Sequence, residues 1–329
     1  MRLKLALLVL GALVVVFLSL RFSGATPIEA ANALFRGSLG SASAVTGTLR
    51  EMVPLLMAGL AVFIALRAGL FNIGVEGQLV VGALCCTLVA INVPGFGGMT
   101  LGLIAGAAGG ALWAWPAGLI RAYRNGHEVI TTIMLNHVAA QITGYLVSDP
   151  LRRKGAGFPI TAEVSETARI PKFSLFGVQT SWSLLLAALL IAALWYWLKR
   201  TVGGYELQAV GANPRAAAVA GVETRRVIVA AMAWSGAIAG VTGSVIVLGF
   251  QHSFSSAISA SYGFTALGVA LLAGGAPFAL FIAAFLFAAL KQGGLDLQDY
   301  APKGIINIII GLVLIVFAAV RYRRQPTGD

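Results

Sequence analysis

Val227-Ile-Val-Ala-Ala-Met-Ala-Trp-Ser-Gly-Ala-Ile-Ala-Gly-Val-Thr-Gly-Ser-Val-Ile-Val-Leu-Gly249 runs for 23 residues without one Asp, Glu, Lys or Arg, and its reading decides the fold. A bilayer's hydrocarbon core is about 30 Å thick and takes roughly 20 helical residues to cross. No water is there to hydrogen-bond free backbone groups, so such a run must be a helix that satisfies its own. Working outward, apolar runs of similar kind recur at 4–20, 47–66, 72–91, 99–120, 129–148, 182–198, 263–274, 277–290 and 304–320. The pair over 263–290 is long for one span and short for two, and Gly274-Gly275-Ala276-Pro277 can break a helix between them. The pattern predicts an all-α, polytopic membrane protein with about ten transmembrane helices. No soluble stretch is long enough to fold separately, so residues 1–329 form one transmembrane domain.

Composition agrees. Of 329 residues 58% are hydrophobic and 11% charged, and the mean hydropathy is +0.88. A water-soluble fold of this size needs nearer a quarter of its residues charged, so that class is excluded. The net charge of +11 does not point to nucleic acid, because the basic residues fall between spans, where they orient a chain in the bilayer. Ten spans put both termini on one side. That side, which includes Arg67, Arg121, Arg124 and the segment 199–226, takes 13 of the 23 Lys and Arg residues, so the termini are expected in the cytoplasm. Arg152-Arg153-Lys154, in an outer loop at about 149–181, runs against that assignment. Met1 to Leu20 is built like a secretory signal, yet no small-x-small cleavage site follows Arg21-Phe22, which favours an uncleaved first span. Cys85 and Cys86 are adjacent in an apolar run and supply neither a disulfide framework nor metal spacing.

Several chemistries are missing. No lysine follows a glycine, so there is no phosphate-cradling P-loop and no ATP hydrolysis by that route. His127-Glu128 opens a zinc-protease helix motif, but position 131 is Thr131. No serine is flanked two residues away on both sides by glycine, so the nucleophile elbow is absent as well. The chain reads as a non-enzyme, with no metal or cofactor of its own.

Polar side chains at membrane depth are costly and mark a pathway or a buried packing contact. The richest cluster is Gly69-Leu-Phe-Asn-Ile-Gly-Val-Glu-Gly-Gln78. If it is helical, Asn72 and Glu76 share a face; its glycines instead allow a broken helix. Asn72, Glu76 and Gln78 are candidates for the substrate path, the alternative being a hairpin whose polar groups cap helix ends. A second polar stripe enters the fifth span at Thr131, Thr132, Asn136 and His137. The threonines can satisfy themselves on preceding carbonyls, whereas Asn136 cannot do so easily and is the fourth path candidate. His137 and His252 are lone histidines with structural roles as the simpler reading.

Between the sixth and seventh spans, residues 199–226 form the longest inner segment. Asn213-Pro214 reads as a helix start, with Asn as cap and Pro in the first turn, and Arg215-Ala-Ala-Ala-Val-Ala220 continues it until Gly221. A short, exposed, alanine-faced helix results, suited to close docking of another surface. On the other side, 149–181 with its prolines reads as an irregular loop, and Ser253 to Ser261 as a short outer or re-entrant element.

These segments together resemble the permease subunits of bacterial ABC importers, in the family serving simple sugars, branched-chain amino acids and nucleosides. Residues 69–78 are similar to the hallmark of its nucleoside-type branch. Glu128 to Asn136, Val210 to Gly221 and Tyr262 to Leu272 match in spelling and placement, so the resemblance covers nearly the whole chain. It implies a multi-pass protein of the bacterial inner membrane that pairs with a second, shorter permease. It also implies cytoplasmic ATPase subunits, which use ATP and Mg, and an extracytoplasmic substrate-binding protein. The segment holding Gly211, Asn213, Pro214, Arg215, Ala217 and Gly221 would be the helix that docks into an ATPase groove. Thr265-Ala266-Leu267 departs from the expected pattern.

Two other classes compete. An ion-driven secondary transporter needs a buried carboxylate as its coupling site, and Glu76 is the main candidate. An intramembrane enzyme lacks a recognisable constellation. Within the importer class, a simple sugar is the alternative to a nucleoside, since a few amides and a carboxylate suit either.

Overall fold

The computed structural model describes residues 26–299, with isolated helical residues at 11, 14, 21, 304, 308, 311 and 312. Apart from those positions, the spans expected at 4–20 and 304–320 lie outside the described residues, as do the terminal Lys and Arg residues that bear on orientation. The described chain is α1 (Pro27–Leu39), α2 (Ala42–Arg67), α3 (Val75–Asn92), α4 (Gly95–Arg124), α5 (Glu128–Ser148), β1 (Lys172–Leu175) and β2 (Val178–Ser181). It continues with α6 (Trp182–Arg200), α7 (Val202–Ala212), α8 (Pro214–Val219), α9 (Thr224–Ile246), α10 (Tyr262–Ala273) and α11 (Ala279–Leu297).

Six of these helices are long and apolar enough to cross a membrane: α2, α3, α4, α6, α11 and α9 with the π turn that extends it to Gln251. The helix α5 is long enough at 21 residues, but its polar stripe dilutes its hydropathy. The eight spans expected between 47 and 290 each meet a helix, with two corrections. The helix α10 has only 12 residues, about 18 Å at 1.5 Å per residue, and so reaches part of the way across. The stretch 72–91 is helical only from Val75, so Asn72 precedes the helix and shares no helical face with Glu76.

The segment before α2 holds a helix that hydropathy alone does not signal. Thr26 caps α1 by accepting from Glu29 N, and the Glu29 carboxylate returns a bond to Thr26 N, a reciprocal capping box with Pro27 in the first turn. The loop 149–181 is irregular except for a 3-10 turn at Glu166–Ala168 and the β1–β2 hairpin. Leu175 pairs with Val178 across Phe176-Gly177, both of which have positive φ (51° and 79°), as a two-residue primed turn requires. The hairpin is tied to α2 by Gln179 N, which donates to Thr46 Oγ1 at 3.0 Å. We call this the hairpin end of the bundle. At the opposite, connector end lie Arg67, the Arg121–Glu128 ion pair and α7.

The centre is α9, which packs on α4, α3 and α2. Lipid tails are as apolar as leucine, so helices in a bilayer gain little from hiding apolar surface from one another; close backbone packing must hold them. The sequence supplies Gly106 and Gly110 on α4 and Gly236 and Gly240 on α9, each pair four residues apart. A methyl group on Gly240 would stand 2.0 Å from the Gly106 carbonyl oxygen, and one on Gly236 2.3 Å from that of Gly110. On the other side of α9, a methyl group on Gly243 would stand 2.1 Å from the Leu79 carbonyl. No side chain fits along this seam. Replacing Gly240 with Leu is expected to abolish the folded chain, read as loss of the monodisperse peak in size-exclusion chromatography in mild detergent. The lipid-exposed substitution Ile104→Leu should leave that peak intact.

Candidate functional site

The break between α2 and α3 is built by residues 68–74. Gly69 adopts φ +73° and passes against α7, where a methyl group would stand 3.2 Å from the Gly211 carbonyl oxygen. The chain then rises into the bundle and places Asn72, fully buried, beside Ser235 in the middle of α9. Asn72 Nδ2 donates to Ser235 Oγ at 2.8 Å and to Gln78 Oε1 at 2.9 Å. Its Oδ1 accepts from Gly74 N at 2.9 Å and from Gln78 Nε2 at 3.1 Å. Ser235 Oγ in turn donates to Ala61 O at 2.6 Å, which links α2, α3 and α9 through one knot.

Asn136 sits next to this knot. Its Oδ1 accepts from Gly77 N and its Nδ2 donates to Ile73 O, both at 2.9 Å, so α5 holds the start of α3. Burying an amide without partners costs a few kcal/mol, and here each amide is satisfied inside the chain. Three of the four path candidates, Asn72, Gln78 and Asn136, are therefore brought together around the helix break, bonded to one another, to Ser235 and to the backbone. Asn72→Ala should destabilise the purified chain by the roughly 1–3 kcal/mol that orphaned buried partners cost, read without any substrate present as a lower thermal unfolding temperature. Normal stability combined with lost transport would instead make Asn72 a wall of the path.

Glu76 does something else. Its Oε2 accepts from Gly263 N at 2.8 Å and its Oε1 from Ser259 Oγ, so the carboxylate of α3 caps the first turn of α10. Negative charge at a helix N-terminus is stabilising, more so away from water. Gly263 has to be glycine here, since a methyl group would stand 2.4 Å from Glu76 N. A second charged cluster holds the same turn. Tyr262 OH donates to Glu51 Oε1 at 3.0 Å, Lys291 Nζ pairs with Glu51 Oε2 at 3.1 Å, and the ammonium lies 4.0 Å from the centre of the Tyr262 ring. Hydropathy reading passed over Glu51 and Lys291. The signal was present: Glu51 interrupts the run 47–66, and Lys291 directly follows the run that ends at Leu290.

The connector segment folds as its sequence predicts. Asn213 Oδ1 accepts from Arg215 N and Ala216 N at 3.1 Å each, Pro214 opens α8, and Gly221 at φ +87° lies just beyond its end. Pro214, Arg215, Ala216 and Ala218 are exposed and Val219 is 92% exposed, whereas Ala217 is only 4% exposed. Ala217 thus points into the chain and does not belong to the exposed face it was expected to share. Gly211 also packs internally, against Arg67 O, where a methyl group would stand at 2.1 Å. His252 ends the π turn with φ +61°, and burial, followed by the Arg169 and Lys172 charges, pushes its imidazole pKa down. A largely neutral ring suits a structural role. Among the described residues no three His, Cys, Asp or Glu side chains gather as a metal site.

Residues 44–318 match the family described as branched-chain amino acid transport system / permease component, and the chain belongs to that family. It is 34% identical over 307 residues to the guanosine ABC transporter permease protein NupP of Bacillus subtilis, covering 90% of this chain and 87% of that one. It is 30% identical over 332 residues to the nucleoside ABC transporter permease protein NupB of Lactococcus lactis, covering 96% and 89%. The glucose ABC transporter permease protein TsgB13 of Haloferax volcanii is 34% identical over 323 residues, covering 94% and 85%. No solved structure matches.

Proposed function

We propose that this chain is the translocation subunit of an ATP-binding-cassette importer that brings nucleosides across the bacterial cytoplasmic membrane. It works with a second, shorter permease, cytoplasmic ATPase subunits that bind ATP and Mg, and an extracytoplasmic substrate-binding protein. The observation that carries this reading is α8, a short capped helix standing out at the connector end with Val219 almost fully exposed. An apolar side chain so placed, beside Arg215, suits a groove on another protein. Arg67, Arg121, Arg124, Lys199, Arg200, Arg225 and Arg226 gather at the same end, which supports a cytoplasmic connector end. With the spans expected at 4–20 and 304–320 added to the six long helices, α5 and the half-length α10, ten membrane segments and cytoplasmic termini follow. At the hairpin end, Arg153 and Arg169 both pair with Glu163, which offsets part of the positive charge there.

The geometry suggests how a push on α8 travels. The helix α8 follows α7 across the single extended residue Asn213, α7 touches the Arg67–Gly69 backbone through Gly211, and that backbone leads into the knot around Asn72. Closure of the ATPases would be felt at the α2–α3 break and turned into rocking of the permease halves. The nucleoside assignment rests on likeness to the guanosine and nucleoside permeases; the glucose permease makes a sugar the second reading. An ion-driven mechanism is less suited, because both oxygens of Glu76 already accept hydrogen bonds, from Ser259 and from the first turn of α10.

Val219→Glu is expected to cut ATP-driven uptake of radiolabelled guanosine at least tenfold in proteoliposomes holding the full complex, with the amount of chain unchanged. Ala217→Arg should instead reduce the amount of folded chain, because the site is buried. Parent-level transport by the Val219→Glu complex would overturn the docking assignment. Uptake competed by glucose but not by nucleosides would move the substrate to sugars, and uptake without any ATPase would restore the ion-driven reading.

A further inference from the structure

Residues 253–261 join the π turn after α9 to α10, and they are neither helix nor paired strand apart from a single bridge between Ser255 and Ile160. At the hairpin end the segment is anchored by Thr161, whose Oγ1 accepts from Phe254 N and whose N donates to Phe254 O, both at 3.0 Å. Its other limit is set by α10. The far end of that helix lies beside Arg67, whose Nη2 donates to Gly275 O at 3.0 Å, so it is level with the connector end of α2. About 18 Å of helix then places Tyr262 inside a core about 30 Å thick. The segment is re-entrant: it leaves the hairpin end and stops within the membrane.

One side of this segment is sealed, with Phe254 and Ile258 fully buried and Tyr262 nearly so. The other side is open. Ser256, Ala257, Ala260 and Ser261 are exposed, as is Phe264 at 46% on the first turn of α10. The hydroxyls of Ser256 and Ser261 make no hydrogen bond among the described residues. Irregular backbone cannot face hydrocarbon, because its polar groups would have no partner; at this depth it must line water or be covered by protein. A hydroxyl-bearing face is better matched to water and a polar ligand than to an apolar helix.

We propose that Ser256, Ser261 and Phe264 form a substrate-binding wall of the translocation path, at the point where the re-entrant segment meets α10. The two hydroxyls would exchange hydrogen bonds with the sugar hydroxyls of a neutral nucleoside, and the Phe264 ring would stack on its base. Behind the wall, Glu76, Glu51 and Lys291 hold the turn from the buried side, so they position it without touching ligand. This assignment rests on the importer reading for the nature of the ligand, while the wall itself rests on depth and exposure alone.

The test uses the assembled complex in proteoliposomes and a small, charged, membrane-impermeant thiosulfonate, with the parent chain as background. Ser256→Cys and Ser261→Cys are expected to react readily, and saturating guanosine should slow that reaction at least tenfold. Leu189→Cys, on the exposed side of α6, should stay unreactive. Phe264→Ala should raise the KM for guanosine on the order of tenfold, the scale of one aromatic–base stack, and Phe264→Tyr should restore it. Cysteines at 256 and 261 as inert as that at 189 would overturn the wall. Reactive cysteines that guanosine does not protect would overturn the ligand site. In the same preparation, guanosine uptake that needs no ATPase would defeat the importer reading while leaving the labelling result to stand by itself.

Discussion

The architecture depends on how closely α9 approaches α4 and α3. In water, packing is driven by apolar surface leaving the solvent, but in a bilayer that gain is spent once the helices are inserted. What remains is dispersion at contact distance, and it rewards helices that can bring backbone against backbone. Gly106, Gly110, Gly236, Gly240 and Gly243 allow that approach, with no room for even one added methyl group. The consequence spreads outward. Because α9 is fixed, Ser235 is fixed; because Ser235 is fixed, Asn72 has a partner at a depth where it could not survive alone.

Two kinds of polar group are then kept in the membrane for different ends. The amides of Asn72, Gln78 and Asn136 carry no net charge, and each of their nitrogens and oxygens has a partner inside the chain. The carboxylates of Glu76 and Glu51 instead converge on the first turn of α10. A half-helix that begins inside the bilayer exposes free N–H groups that an ordinary span would place at the interface. Glu76 answers that need from a neighbouring helix, and Lys291 pairs with Glu51 so that the second carboxylate adds no net charge.

Much of this was legible in the sequence. Long apolar runs marked the crossing helices, and Asn213-Pro214 marked the start of α8 to the residue, because N-capping is a local interaction between neighbours. Local chemistry could not say which way Ala217 faces, since that depends on how a six-residue helix leans on the bundle. The partner of Glu76 was also out of reach: Gly263 is far along the chain, and only the re-entrant path brings it near. The glycine spacing 106/110 and 236/240 was visible and carried the central contact, but hydropathy treats glycine as neutral and passes over it. Thr26-Pro27 with Glu29 likewise announced α1 through capping rather than through apolar content.

The contact between α7 and the α2–α3 break is made of main-chain atoms, with Gly69 and Gly211 carrying nothing between them. Side chains have rotamers and can absorb a small displacement by turning aside, whereas two backbones in contact cannot. In the proposed coupling, such a contact would act as a strut with little slack, passing on a small movement that side chains would absorb. It also makes the linkage indifferent to the chemistry of surrounding side chains, so the residues that choose a ligand can change while the mechanical connection stays as it is.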